Sequence, residues 1–132
     1  MTADVRVLLV DDQEPFLRAA ATVVERADGF VLAGRASDGA DAVEAVGRLG
    51  VDLVLMDVHM PGLGGVAACR EVLRTAPGTV VVLVSTYDRD DLPDDVRTSG
   101  AAAYLHKEEL SGSRLAQVWL EATGRAHSER SC

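Results

Sequence analysis

Long apolar runs are missing from this chain. No stretch approaches the roughly 20 residues that a membrane-spanning helix needs, so the sequence argues against a membrane protein. Cysteine is scarce. Of 132 residues only Cys69 and Cys132 are cysteines, far apart, and no Cys/His cluster has zinc-ligand spacing. Cys69 falls on an apolar stripe and reads as a buried thiol, Cys132 as an incidental terminal one. Positive charge is in deficit: 13 Lys and Arg against 21 Asp and Glu give a formal net charge of −8. That excludes a bare phosphate-backbone binder and suits a partner with a basic patch, or a site that holds a cation. Repeats, linkers and a second domain are absent from the pattern. Met1-Thr2-Ala3-Asp4 leads directly into a strand-like run, which leaves no room for a secretory leader. The expectation is a cytoplasmic chain with one domain over 1–124. The tail over 125–132 has no apolar period and is expected to fray.

What is present suffices for a core. With 48% hydrophobic and 26% charged residues, a domain of this length folds without disulfide or metal staples. Strand-like runs fall at 5–10, 30–35, 52–57, 79–85 and 102–105. They are rich in Val and Leu with little alternation, as in strands covered on both faces. Between them run helical stripes: Phe16, Ala20, Val23 and Val24; Ala42, Val43, Val46 and Leu49; Val66, Cys69, Val72 and Leu73; and Leu115, Val118, Trp119 and Ala122. Unbroken βα alternation predicts a parallel sheet with helices on both faces. Among doubly wound sheets we choose the order 2-1-3-4-5, which sets strands one and three side by side at the switch point. The fourth helix is the irregular one. Pro93 restricts its start to about Leu92 or Pro93, and Gly100 closes the segment, so two turns are expected.

The carboxyl ends of these runs carry the chemistry. The first strand runs into Asp11-Asp12, the third into Asp57, the fourth into Ser85-Thr86, and the fifth through His106 to Lys107. Carboxyl ends of parallel strands share one edge, where such sheets bind ligands. Asp11 and Asp12 either cap the next helix or, with Asp57, form a hard-cation site of the kind Mg²⁺ takes. Three unpaired carboxylates repel one another, so a cation is needed to hold them together. Asp57 is then the candidate nucleophile for phosphorus. The Ser85 hydroxyl serves either a turn or a phosphoryl oxygen. Lys107 pairs with that phosphate, or with Asp57 before it is phosphorylated. Tyr104 reads as a core aromatic or as a switch that turns inward when Ser85 is engaged. His59 reads as a loop residue whose backbone carbonyl is its only candidate metal ligand.

These residues resemble the receiver domain of bacterial two-component response regulators, over about residues 5–122. Val-Leu-Leu-Val-Asp11-Asp12, Asp57-Val-His-Met-Pro-Gly, Val-Ser85-Thr and Gly100-Ala-Ala-Ala-Tyr104-Leu-His-Lys107 stand in that family's order and spacing. The resemblance implies a flavodoxin-like doubly wound receiver fold. It implies that Asp57 accepts phosphate from a histidine kinase or phosphotransfer protein, with Mg²⁺ on Asp11, Asp12, Asp57 and the His59 carbonyl. Ser85 and Tyr104 would relay the event to the face of the fourth helix, fifth strand and fifth helix, where a downstream protein or a second phosphorylated copy binds. Two departures stand out. Glu108 follows Lys107 where the family usually has proline, often cis. A non-proline cis bond costs about 2.5–4 kcal/mol; the sequence leaves cis or trans open, and a trans bond would present Lys107 differently. Pro93 shortens the element that usually carries output.

A phospho-accepting switch is the leading reading, with no turnover of an external substrate beyond autodephosphorylation. An aspartyl-nucleophile phosphatase usually wants another Asp two residues past the nucleophile, where this chain has His59. A flavodoxin-like cofactor binder wants a phosphate-cradling loop after the first strand, where Asp11-Asp12-Gln13-Glu14 repels phosphate. Within the leading class a stand-alone receiver, with no nucleic-acid contact of its own, is favoured over the receiver half of a DNA-binding regulator. The tail shows no helix-turn-helix pattern.

Overall fold

The computed structural model describes residues 4–60, 62–92 and 94–124. Five strands form one parallel sheet: β1 (Val5–Val10), β2 (Phe30–Ala36), β3 (Leu53–Asp57), β4 (Val80–Ser85) and β5 (Ala103–His106). Their order is β2-β1-β3-β4-β5, as expected from the sequence. Four α-helices cover it: α1 (Glu14–Arg26), α2 (Gly39–Leu49), α3 (Gly65–Thr75) and α4 (Gly112–Thr123).

Alternate strand residues feed two separate cores, as the two-residue period of a strand requires. Leu8, Val10, Val54, Met56, Val81 and Leu83 pack against α2 and α3. Val7, Leu9, Leu53, Leu55, Val82, Val84 and Leu105 pack against α1 and α4. Both faces of β1, β3 and β4 are therefore dry, which explains strands of nearly unbroken Val and Leu. Asp38 caps α2 by accepting from the Asp41 N–H at 2.8 Å, and Ser111 caps α4 by accepting from Arg114 at 3.1 Å. Cys69 is buried on α3, its thiol donating to the Ser99 carbonyl at 3.5 Å, and burial pushes that thiol's pKa up. Cys132 and the 125–132 tail lie outside the described residues.

Two expectations need correction. The stripe on α1 is partly rotated: Ala20 and Val24 are buried as expected and are joined by Leu17 and Ala21, while Phe16 and Val23 are only partly buried. The fourth helix does not form among the described residues. Its place is taken by two single 3₁₀ turns, Arg89–Asp91 and Asp94–Val96, and Pro93 between them is not described. Asp is a poor helix former in an interior, where its carboxylate competes for backbone N–H groups. With five aspartates between residues 88 and 95, too few good formers remain to repay nucleation. Leu92 and Val96 still pack on the α2–α3 core, so the segment is anchored without being helical.

Candidate functional site

The switch point of the sheet lies between β1 and β3, because β1 continues to β2 on one side while β3 continues to β4 on the other. Asp11 and Asp12 follow β1, and Asp57 ends β3. One carboxylate oxygen from each lies within 4.8 Å of the others. Asp11 and Asp57 are buried and Asp12 is exposed, so the cluster opens to solvent at Asp12.

Backbone geometry fixes the two buried carboxylates. Asp11 Oδ1 accepts from the Gln13 N–H at 2.8 Å, and Asp57 Oδ1 accepts from the His59 N–H at 3.3 Å. Each thus uses one oxygen to tie down its own loop and turns the other to the shared space. A close helix–strand approach supports this on the β3 side. A Cβ on Gly65 would sit 2.2 Å from the Asp57 carbonyl oxygen, so only glycine lets α3 begin this close to the strand end.

Lys107 reaches into the cluster. Its Nζ lies 2.6 Å from Asp11 Oδ2 and 3.8 Å from Asp57 Oδ2. The side chain is 12% exposed. The bond from Lys107 to Glu108 is trans, which decides what the sequence left open. The nearer partner is Asp11, where the sequence had pointed to Asp57. Asp11 Oδ2 is buried and makes an ion-pair contact without an aligned hydrogen bond. One ammonium therefore serves two buried carboxylates incompletely. The consequence falls on Asp57, whose pKa rises from 3.8 to about 6. Burial is the largest cause and the Asp11 charge the next; Lys107 and the His59 N–H offset them in part.

Ser85 and Tyr104 are not bonded to the carboxylates. Both hold Tyr87: the buried Ser85 Oγ accepts from the Tyr87 N–H at 2.9 Å, and the Tyr104 hydroxyl donates to the Tyr87 carbonyl. The His59 ring packs on the Tyr87 ring, with centroids 4.5 Å apart and planes inclined by 36°. Residue 87 thus joins the loops after β3 and β4 to strand β5, a role its sequence context did not signal. Phe16 was also missed. Read as core, it does pack at the edge of the α1–α4 core, and it also lies beneath Lys107, whose Nζ is 4.5 Å from the ring centroid.

An acidic trio of hard oxygen donors with one under-bonded buried oxygen fits a divalent cation of the Mg²⁺ type. No described helix is long and apolar enough to cross a membrane.

Comparison with known proteins agrees with this fold. The response regulator GacA of Pseudomonas viridiflava is 36% identical over 114 residues, covering 86% of this chain and 51% of its own length. The response regulator UvrY of Escherichia coli K12 is 38% identical over 103 residues, covering 78% and 47%. The chain spans about half the length of these relatives. Among solved structures, the signal receiver domain of the putative response regulator NarL from Mycobacterium tuberculosis superposes with a TM-score of 0.81 at 28% identity. That match covers 94% of this chain and all of that one. The response regulator domain of Thermotoga maritima CheB gives 0.77 at 26% identity, covering 90% and 96%. The response regulator receiver domain is matched over residues 7–118, from inside β1 to the last turns of α4, and the chain belongs to that family.

Proposed function

We propose that this chain is a phospho-accepting signalling switch in which Asp57 is the phosphoacceptor. The observation that carries the reading is the cluster of Asp11, Asp12 and Asp57 with Lys107 lodged inside it. An Asp57 carboxylate oxygen forms an O–P bond to the phosphoryl group of a donor phosphohistidine. The donor's P–N bond breaks, and its electron pair leaves on the imidazole nitrogen. Mg²⁺, held by Asp11, Asp12, Asp57 and the His59 carbonyl, would supply charge neutralisation on the transferring phosphoryl group. Lys107, already beside Asp57, pairs with a phosphoryl oxygen, and the Ser85 hydroxyl donates to another after giving up the Tyr87 N–H. Because Tyr104 holds the same residue 87, the change at Ser85 reaches β5 and the acidic segment after β4. Ser85 and Lys107 act here as groups on the phosphoryl oxygens, and no external substrate turns over.

The partners of this reading are a histidine kinase or phosphotransfer protein upstream and a protein partner or second phosphorylated copy downstream. The net charge of −8 suits a basic protein surface and not direct nucleic-acid contact. A DNA-binding response regulator of the LuxR family from Staphylococcus aureus shares the fold at 20% identity. With about half of each curated relative covered, a receiver attached to a DNA-binding output domain is the second reading. Incubation with acetyl phosphate and Mg²⁺ tests the first step. An adduct that forms only with Mg²⁺ and is released by hydroxylamine, as an acyl phosphate is, supports it. An adduct resistant to hydroxylamine overturns it.

A further inference from the structure

Lys107 has no proline after it to shape its turn, yet its ammonium is placed to within hydrogen-bonding distance of Asp11. The turn that carries it, Lys107–Glu109, is a single 3₁₀ turn with no buried residue of its own. Its rigidity must come from its ends. His106 supplies both. Its Nε2 lies 2.9 Å from the Thr86 carbonyl oxygen, and its Nδ1 lies 3.1 Å from the Glu108 N–H. A carbonyl only accepts and an amide N–H only donates, so the ring is the neutral tautomer with its proton on Nε2. The His106 N–H in turn donates to Glu109 Oε1 at 2.8 Å, which closes a reciprocal capping box around the turn.

The imidazole also bridges elements. His106 is paired in register with Ser85 across β4 and β5, and Thr86 follows Ser85 directly. One ring therefore ties the Ser85–Tyr87 segment to the turn bearing Lys107. Asp88, Glu108 and Glu109, with Tyr87 and Tyr104, line the space beside it.

We propose that His106 is a positioning residue that sets Lys107 against the carboxylates and locks it to the Ser85 segment, a role resting on the phosphoacceptor reading above. In this chain a side-chain cap does what backbone restriction by proline would do elsewhere. The ring's hydrogen bonds go to Thr86 and Glu108 and not to Asp11, Asp12 or Asp57, so its effect on phosphate uptake runs through the placement of Lys107.

The test is a double-mutant cycle on the full chain, read as the initial rate of phosphate uptake from acetyl phosphate with Mg²⁺. His106→Ala is expected to slow uptake about tenfold or more, the scale of a misplaced group near the reacting atoms. In a Lys107→Ala background the same change should alter the rate by no more than about twofold, since its effect is already gone. Two partial rescues separate the ring's contacts: His106→Asn keeps the cap on Glu108, and His106→Gln keeps the reach to Thr86. Each should recover part of the loss. If His106→Ala does not fold, the cycle is read on these two, and a loss in either that vanishes in the Lys107→Ala background supports the role. Wild-type rates in every His106 variant overturn it, as does equal slowing with and without Lys107. A wild-type chain that takes no phosphate overturns the phosphoacceptor reading together with this one.

Discussion

The ammonium of Lys107 is paired with Asp11 more closely than with Asp57, at 2.6 Å against 3.8 Å. The cluster thus contains its own counter-ion, set off-centre. The ammonium sits nearer Asp11, and Asp57 is left buried with the Asp11 carboxylate beside it. A divalent cation brings what one lysine cannot, enough charge for three carboxylates at once.

Cation binding should therefore stabilise the fold. At a hundredfold excess over its Kd, Mg²⁺ is expected to add about 2.7 kcal/mol to the unfolding free energy. Urea unfolding with and without Mg²⁺ checks this. Asp12→Asn should lose most of the increment while unfolding normally without metal, because Asp12 is exposed and carries no structural contact seen among the described residues.

The raised pKa of Asp57 makes a pH prediction. Its folded value of about 6 lies above the unfolded 3.8, so the folded state holds the proton more tightly. Stability is then highest below about pH 4 as far as this group is concerned, and falls as pH rises through 6. A shift of about two units corresponds to a loss on the order of 3 kcal/mol. In metal-free protein, Asp57→Asn should be the more stable form at pH 7, with the difference shrinking toward pH 4. Denaturant unfolding at pH 4, 5, 6 and 7 measures it, and a constant difference would contradict the assignment.

Gly65→Ala should destabilise by about 1–3 kcal/mol, because the new methyl group meets the Asp57 carbonyl and must push β3 and α3 apart. Gly47→Ala is the control. It lies within α2 with nothing within 4 Å of the added Cβ, and should stabilise by about 0.5–1 kcal/mol. Paired unfolding curves decide both. Mg²⁺ affinity should fall only in Gly65→Ala.

Phe16→Leu preserves apolar bulk but removes the ring face under Lys107. The cation–π contribution at a partly desolvated site is about 0.5–2 kcal/mol. That loss should be present in the wild-type background and absent beside Lys107→Met, in unfolding measurements on the four proteins.

The sheet and the acidic trio were legible because each depends on local pattern. Strands dry on both faces must be apolar throughout, and residues at strand ends share an edge whatever the side chains do. The misreadings have a different origin. The stripe of α1 was right at Ala20 and Val24 but took Phe16 and Val23 over Leu17 and Ala21, because adjacent apolar residues leave the helical phase open. The segment between β4 and Gly100 was read as a short helix from about Leu92, but the aspartates over 88–95 remove its propensity, and tertiary anchoring through Leu92 and Val96 does not restore it. Lys107's choice of Asp11 over Asp57, and the cap supplied by His106, are matters of an ångström or two between loops. Residue order carries no such distances.

The central claim is that Asp57 takes a phosphoryl group, and the mass of the intact protein tests it most directly. After incubation with acetyl phosphate and Mg²⁺, wild type should gain the mass of one phosphoryl group, and Asp57→Asn should gain none. A wild-type protein that gains no mass, or an Asp57→Asn protein that gains as much, would contradict the account.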